Sequence, residues 1–175
     1  MNMQTLSGCV FAALIPLMQP AAAQVADAIT AAGETRVATI HAQGAQVYEC
    51  AADASGKLAW KFREPTATLL AEGKTVGRHY AGPSWEMVDG SIVVGKVSGR
   101  ADGASPADIP LLKLEVVSRR GEGLLSDVVT IQRINTKGGV AEGACSKAGA
   151  FLSVPYSADY AFFKKMSASA LSPMR

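Results

Sequence analysis

Gln46-Val47-Tyr48-Glu49-Cys50-Ala51-Ala52-Asp53-Ala54-Ser55-Gly56-Lys57-Leu58-Ala59-Trp60-Lys61-Phe62-Arg63 is the stretch that decides the fold. Both of its ends alternate with period two, the mark of half-buried strands. Tyr48 and Cys50 share one face of the first run. In the second, Leu58, Trp60 and Phe62 point one way and Lys57, Lys61 and Arg63 the other. Asp53-Ala54-Ser55-Gly56 between them is a turn signal, so the two runs pair as a hairpin. Pro65 is expected to end the second strand, because it has no N–H to give to a ladder.

The same period continues on either side. Residues 91–97 (SIVVGKV) enter a strand through the turn dipeptide Asp89-Gly90. Residues 109–117 (IPLLKLEVV) set Leu112, Leu114 and Val116 against Lys113 and Glu115, and residues 124–134 (LLSDVVTIQRI) form a longer strand joined to them through 120–123 (RGEG). Asn135-Thr136-Lys137-Gly138-Gly139 reads as a loop, its glycines permitting positive φ. No helical period persists for three turns. An all-β, mainly antiparallel single domain with long loops follows, and a sandwich and a barrel both satisfy the pattern.

The N-terminal residues read differently. Residues 1–23 contain no Asp, Glu, Lys or Arg, and an apolar run at 10–18 precedes Ala21-Ala22-Ala23. That is the order of a signal peptide with its small-residue cleavage site, although no basic residue starts it. The cut is placed after Ala23, and the protein is expected to be exported, to a periplasm or to the medium. The run is too short to cross a bilayer, and no later segment is long and apolar enough. Leu6-Ser7-Gly8-Cys9 has the residue types of a lipobox, but its apolar run follows the cysteine instead of preceding it. Residues 24–35 are an Ala-rich lead-in, 36–163 the β domain and 164–175 a flexible tail.

Removing 23 of the 175 residues leaves 152, enough for one domain. The 17 basic and 15 acidic residues, net +2, are evenly spread and offer no footprint for nucleic acid. Cleavage reduces three cysteines to Cys50 and Cys145, and an even pair in an exported chain favours a disulfide over two buried thiols. With two histidines, a three-His metal site is impossible. No H-E-x-x-H, C-x-x-C, P-loop or G-x-S-x-G is present, so no metal or cofactor is expected.

The densest polar–aromatic stretch is residues 78–91, read as a loop between strands. Arg78, His79, Tyr80, Trp85 and Glu86 are its candidate ligand contacts, with Tyr80 and Trp85 available to stack on a small molecule or a glycan. His79 with Glu86 or Asp89 is the alternative, an enzymatic acid–base pair. A purely structural stretch, with Arg78 and Glu86 ion-paired and Trp85 plugging the core, competes with both. A structural or partner-binding envelope protein is the third functional reading. His41 falls in a strand-like run and is expected to be packed or exposed. Tyr156, Tyr160 and Phe163 sit at helical spacing and are expected to cover an edge of the core.

Taken together, Gln46-Val47-Tyr48-Glu49-Cys50, Trp60-Lys61-Phe62, Gly77-Arg78-His79-Tyr80-Ala81-Gly82-Pro83-Ser84-Trp85-Glu86, Gln132-Arg133-Ile134-Asn135-Thr136-Lys137-Gly138-Gly139 and Val154-Pro155-Tyr156-Ser157-Ala158-Asp159-Tyr160 resemble the DUF3455 family of exported proteins. The likeness spans about 37–163. It implies a common fold and supports pairing Cys50 with Cys145, and it carries no reaction with it. Leu111 stands where the family pattern has Trp, so a pocket wall there is expected to differ.

Overall fold

The structure is a computed structural model and describes residues 27–166. Eight strands follow one another: β1 (Glu34–Ala52), β2 (Leu58–Ala71), β3 (Lys74–Tyr80), β4 (Ser84–Met87), β5 (Ile92–Ala101), β6 (Leu111–Arg120), β7 (Val128–Gly138) and β8 (Phe151–Lys165). Each pairs antiparallel with its neighbours in sequence, and β8 pairs with β1. That last pairing makes the sheet a closed barrel and settles what the alternation left open. The proposed signal peptide and its cut lie outside the described residues. Of the lead-in, residues 27–29 form a helical turn, with Ile29 buried and its carbonyl accepting from Gln132 Nε2 at 2.6 Å.

Closure demands strongly bent strands, and β-bulges supply the bend. One falls where Val47 faces Glu64 but Tyr48 faces Phe62, leaving Arg63 as the extra residue of β2. Others interrupt β5–β6 and β7–β8, and Asn135 takes a φ of 51° at the latter. The expected loop at 135–139 is therefore mostly strand, since its turn-forming residues serve a bulge and β7 runs on to Gly138. At the other end β7 starts only at Val128, and residues 124–127 belong to the connection from β6.

Pro65 does not end β2. The strand passes through it, opposite Gln46 of β1. β3 engages β2 only at residues 67–71, so Pro65 lies on a length of β2 with no second neighbour, where a missing N–H costs no ladder bond. Residues 78–91 are likewise not a loop. They hold the end of β3, a turn at 81–83 and all of β4, with His79 directly opposite Trp85. The polar and aromatic composition masked a period-two pattern. Tyr156, Tyr160 and Phe163 lie on a strand, not a helix: β8 turns Tyr156 and Tyr160 into the core. β8 also continues to Lys165, two residues into the stretch read as tail.

The barrel is solid at one end and hollow at the other. The end that carries the β2–β3, β4–β5 and β6–β7 connections is packed with Ile40, Val93, Leu125, Val128, Ile131 and Phe162. Outward positions carry charges such as Lys61, Lys96 and Glu115. That is the reverse of the apolar outer band of a membrane-spanning barrel. Among the described residues no helix is long and apolar enough to cross a membrane. At the hollow end Cys50 and Cys145 form a disulfide, tying the long β7–β8 connection to the end of β1. The backbone reinforces this tie: Cys50 N donates to the Ala150 carbonyl at 2.8 Å, and Gly149 N to the Cys50 carbonyl at 2.9 Å.

Candidate functional site

The hollow end encloses a cavity of about 550 Å³, inside the range of roughly 300–1,000 Å³ that holds a small molecule. An eight-stranded barrel is just wide enough either to be filled by its own side chains or to hold one such ligand. Strand parity decides what lines it. His79 of β3, Trp85 of β4 and Tyr160 of β8 meet at its floor. The His79 and Trp85 rings stack with centroids 4.4 Å apart, and Tyr160 lies 4.9 Å from His79 and 5.1 Å from Trp85. Pro65, Ile109, Pro110, Leu112 and Leu114 give apolar wall, and Phe62, Val97, Arg63 and Arg100 stand nearer the mouth. Leu58, Trp60 and Phe62 thus do not form a closed core face, since Phe62 is 55 % exposed at the open end. On β6 the wall is formed by Leu112 and Leu114, not by Leu111.

Few polar groups reach this space. His79 is buried, and its Nδ1 lies 2.8 Å from the Ser84 carbonyl. A carbonyl only accepts, so Nδ1 carries the proton and Nε2 is the basic atom. Burial pulls the imidazole pKa down to about 3, outweighing the Ser84 hydrogen bond, and the Arg133 charge pushes the same way. His79 is therefore neutral at pH 7. Burial raises the Tyr160 hydroxyl, while Arg133 and Tyr156 partly offset this. Tyr48 OH donates to the Gly139 carbonyl at 2.7 Å. Two buried donors on the lining, Gln46 Nε2 and Trp85 Nε1, have no hydrogen-bond partner. Arg133, directly across from Tyr160 and Leu112, donates from Nε to the Pro110 carbonyl at 3.0 Å.

The five ligand contacts expected from the sequence divide between two faces. His79 and Trp85 point inward, and Arg78, Tyr80 and Glu86 point outward. Glu86 Oε2 accepts from Arg78 Nη2 at 2.8 Å, Arg78 Nε at 3.1 Å and Tyr80 OH at 2.9 Å, and the guanidinium lies over the Tyr80 ring. The Arg78 hydrogen bonds, with Tyr80 second, hold the Glu86 carboxyl below its ordinary value. Tyr80 and Trp85 therefore cannot clasp one ligand between them. Nor does His79 meet a carboxylate: Glu86 is on the opposite face, and Asp89 is engaged in the β4–β5 turn. There Oδ1 accepts from Ser91 N at 2.9 Å and Ser91 Oγ at 2.6 Å, and Oδ2 from Leu124 N at 2.7 Å. Burial would raise Asp89, but these bonds outweigh it and keep the carboxyl low.

His41 is exposed on the outer wall, 2.9 Å from Asp159 Oδ1, whose Oδ2 accepts from Asn135 Nδ2 at 2.8 Å. Among the described residues no group of three or more His, Cys, Asp or Glu is arranged to hold a metal ion.

A family model described as "Protein of unknown function (DUF3455)" matches residues 31–164, from just before β1 almost to the end of β8. The chain belongs to the DUF3455 family. No curated protein and no solved structure matches it. In this DUF3455 chain the sequence reading missed Gln46, Leu112, Arg133 and Tyr160 as cavity residues. One signal was available for Arg133: in Ile131-Gln132-Arg133 the alternation sets a guanidinium on the same face as a core isoleucine.

Proposed function

We propose that this protein is an exported, non-enzymatic binding domain that holds a small molecule inside the hollow end of its barrel. The observation that carries the reading is the cavity itself, with an aromatic floor, aliphatic walls and two buried donors on its lining without partners. A buried polar group without a partner costs about 1–3 kcal/mol, which a ligand acceptor recovers on binding. The mostly apolar wall suits a compact amphipathic molecule better than an extended glycan. The enzymatic alternative loses support from the geometry, because His79 has neither Glu86 nor Asp89 on its face of the sheet.

Export is part of the same proposal. It is supported by the disulfide, which persists in oxidising compartments, and by the signal-like residues 1–23. Intact mass of the protein from its producing cells should begin at Gln24.

The binding test uses the uncharged fluorophore N-phenyl-1-naphthylamine, which brightens in apolar surroundings. The wild type is expected to bind it saturably. Leu112→Trp should fill the space and abolish binding while leaving the circular dichroism spectrum folded. Tyr80→Phe, on the outer face, should bind like the wild type. No saturable binding, or binding unaffected by Leu112→Trp, would overturn the reading.

A further inference from the structure

The charges around the cavity are one-sided. Its lining contains Arg63, Arg100 and Arg133 and no Asp or Glu. The three arginines are not equivalent. Arg63 stands at the mouth, 3.6 Å from Glu49 and from Glu64, with its guanidinium over the Phe151 ring. Arg100 is exposed at the rim. Arg133 faces inward from the middle of β7, partly buried between Leu112 and Tyr160. The ion pairs among the described residues are His41–Asp159, Arg63–Glu49, Arg63–Glu64 and Arg78–Glu86, and Arg133 belongs to none of them.

A cation withdrawn from water is normally paired, because desolvating it alone is expensive. Arg133 donates from Nε to the Pro110 carbonyl and also hydrogen-bonds the Tyr160 hydroxyl, and neither partner carries a negative charge. Four of the five guanidinium N–H groups are on the two Nη atoms, the fork that grips an oxyanion with two bonds. The other unsatisfied groups of the lining, Gln46 Nε2 and Trp85 Nε1, are also donors. Since His79 stays neutral, Arg133 is the inner cation of the cavity. Donors and positive charge meet on the inside, and Leu112, Leu114, Ile109, Pro65 and Val97 offer hydrocarbon around them.

We infer that the cavity takes an amphipathic anion, an apolar body bearing one carboxylate or similar oxyanion head, with the head held by Arg133. This rests on the cavity being a binding site, and the experiment separates the two claims. The probes are N-phenyl-1-naphthylamine and 1-anilinonaphthalene-8-sulfonate, which share their ring skeleton and differ by a sulfonate. Wild-type protein should bind the sulfonate about tenfold more tightly or better, the scale of a charged hydrogen-bonded contact. Arg133→Met should bring the ratio of the two dyes' affinities to near one, whatever it does to the affinity for the uncharged dye, and Arg133→Lys should retain part of the preference. Leu112→Trp should expel both dyes.

Equal affinity of the wild type for both dyes, or a sulfonate preference that survives Arg133→Met, overturns the anion inference and leaves the cavity reading standing. Failure of both dyes to bind overturns both. Should Arg133→Met not fold, the wild-type comparison of the two dyes decides. Displacement of the bound sulfonate by decanoate but not decanol, or by 2-naphthoate but not 2-naphthol, then tells a chain-like body from a ring.

Discussion

Lowering the pH from 7 to 5 should cost the protein about 2 kcal/mol of folding stability through His79 alone. Its folded pKa is about 3, against roughly 6.5 for a histidine in an unfolded chain. The folded value is depressed, so the stabilisation is fully present above about pH 6.5 and is lost as pH falls towards 3. Between those limits unfolding takes up one proton, and stability falls by about 1.4 kcal/mol per pH unit. The whole window amounts to roughly 5 kcal/mol, as much as many small domains possess.

The structural cause is specific. Trp85 and Tyr160 pack against the ring, the Ser84 carbonyl accepts a hydrogen bond from its Nδ1, and the charge acting on it is the cation Arg133. The one hydrogen bond there that favours an imidazolium is to that carbonyl, and burial outweighs it. The assay is urea unfolding followed by far-UV circular dichroism at pH 7 and pH 5, in a His41→Gln background so that one histidine remains. His79→Gln in the same background should lose most of the pH dependence, whatever its stability at pH 7. Carboxylates held low by hydrogen bonds, such as Asp89 and Glu86, release their contribution at more acidic pH. An unchanged slope in His79→Gln, or an NMR titration of His79 centred above pH 5, would refute the reasoning.

Two further outcomes are expected. Replacing Cys50 and Cys145 by Ala opens a loop of 95 positions and should cost up to about 4–5 kcal/mol by loop-closure entropy, read as a lower urea midpoint. Gly44→Ala should destabilise strongly, by about 3 kcal/mol or more, because its Cβ would fall 2.0 Å from the Thr66 carbonyl oxygen and 2.5 Å from Ala67 Cα. A thermal midpoint within a few degrees of wild type would contradict that.

The strand content was legible because alternation is a local property. Leu114 against Lys113 and Glu115 says strand whatever the strand pairs with. Closure was not legible, since it depends on β1 meeting β8 across the length of the chain. Pro65 and Asn135 misled for one reason: each is a breaker whose effect vanishes where the ladder already lacks a partner or carries a bulge. The site was half visible. His79 and Trp85 were singled out for their rarity, but composition cannot assign faces. The neighbours Arg78, Tyr80 and Glu86 were grouped with them although one residue's step along a strand moves a side chain to the other side of the sheet. Arg133 and Tyr160 come from strands remote in sequence, and their meeting with His79 exists only once the barrel has closed.

That closure also orders events in time. β1, the longest strand, is among the first structured residues to be made, and one of its two edges is complemented only by β8, the last. His41 and Asp159, which face each other across this seam, are 118 positions apart. A nascent chain therefore carries an unpaired edge over residues 34–49 until β8 arrives, and such edges recruit other chains. Long-range pairing of this kind is also slow. The protein must be kept from partners of its own kind until its C-terminus has emerged, and a truncation that removes β8 would leave an aggregation template, not a smaller barrel.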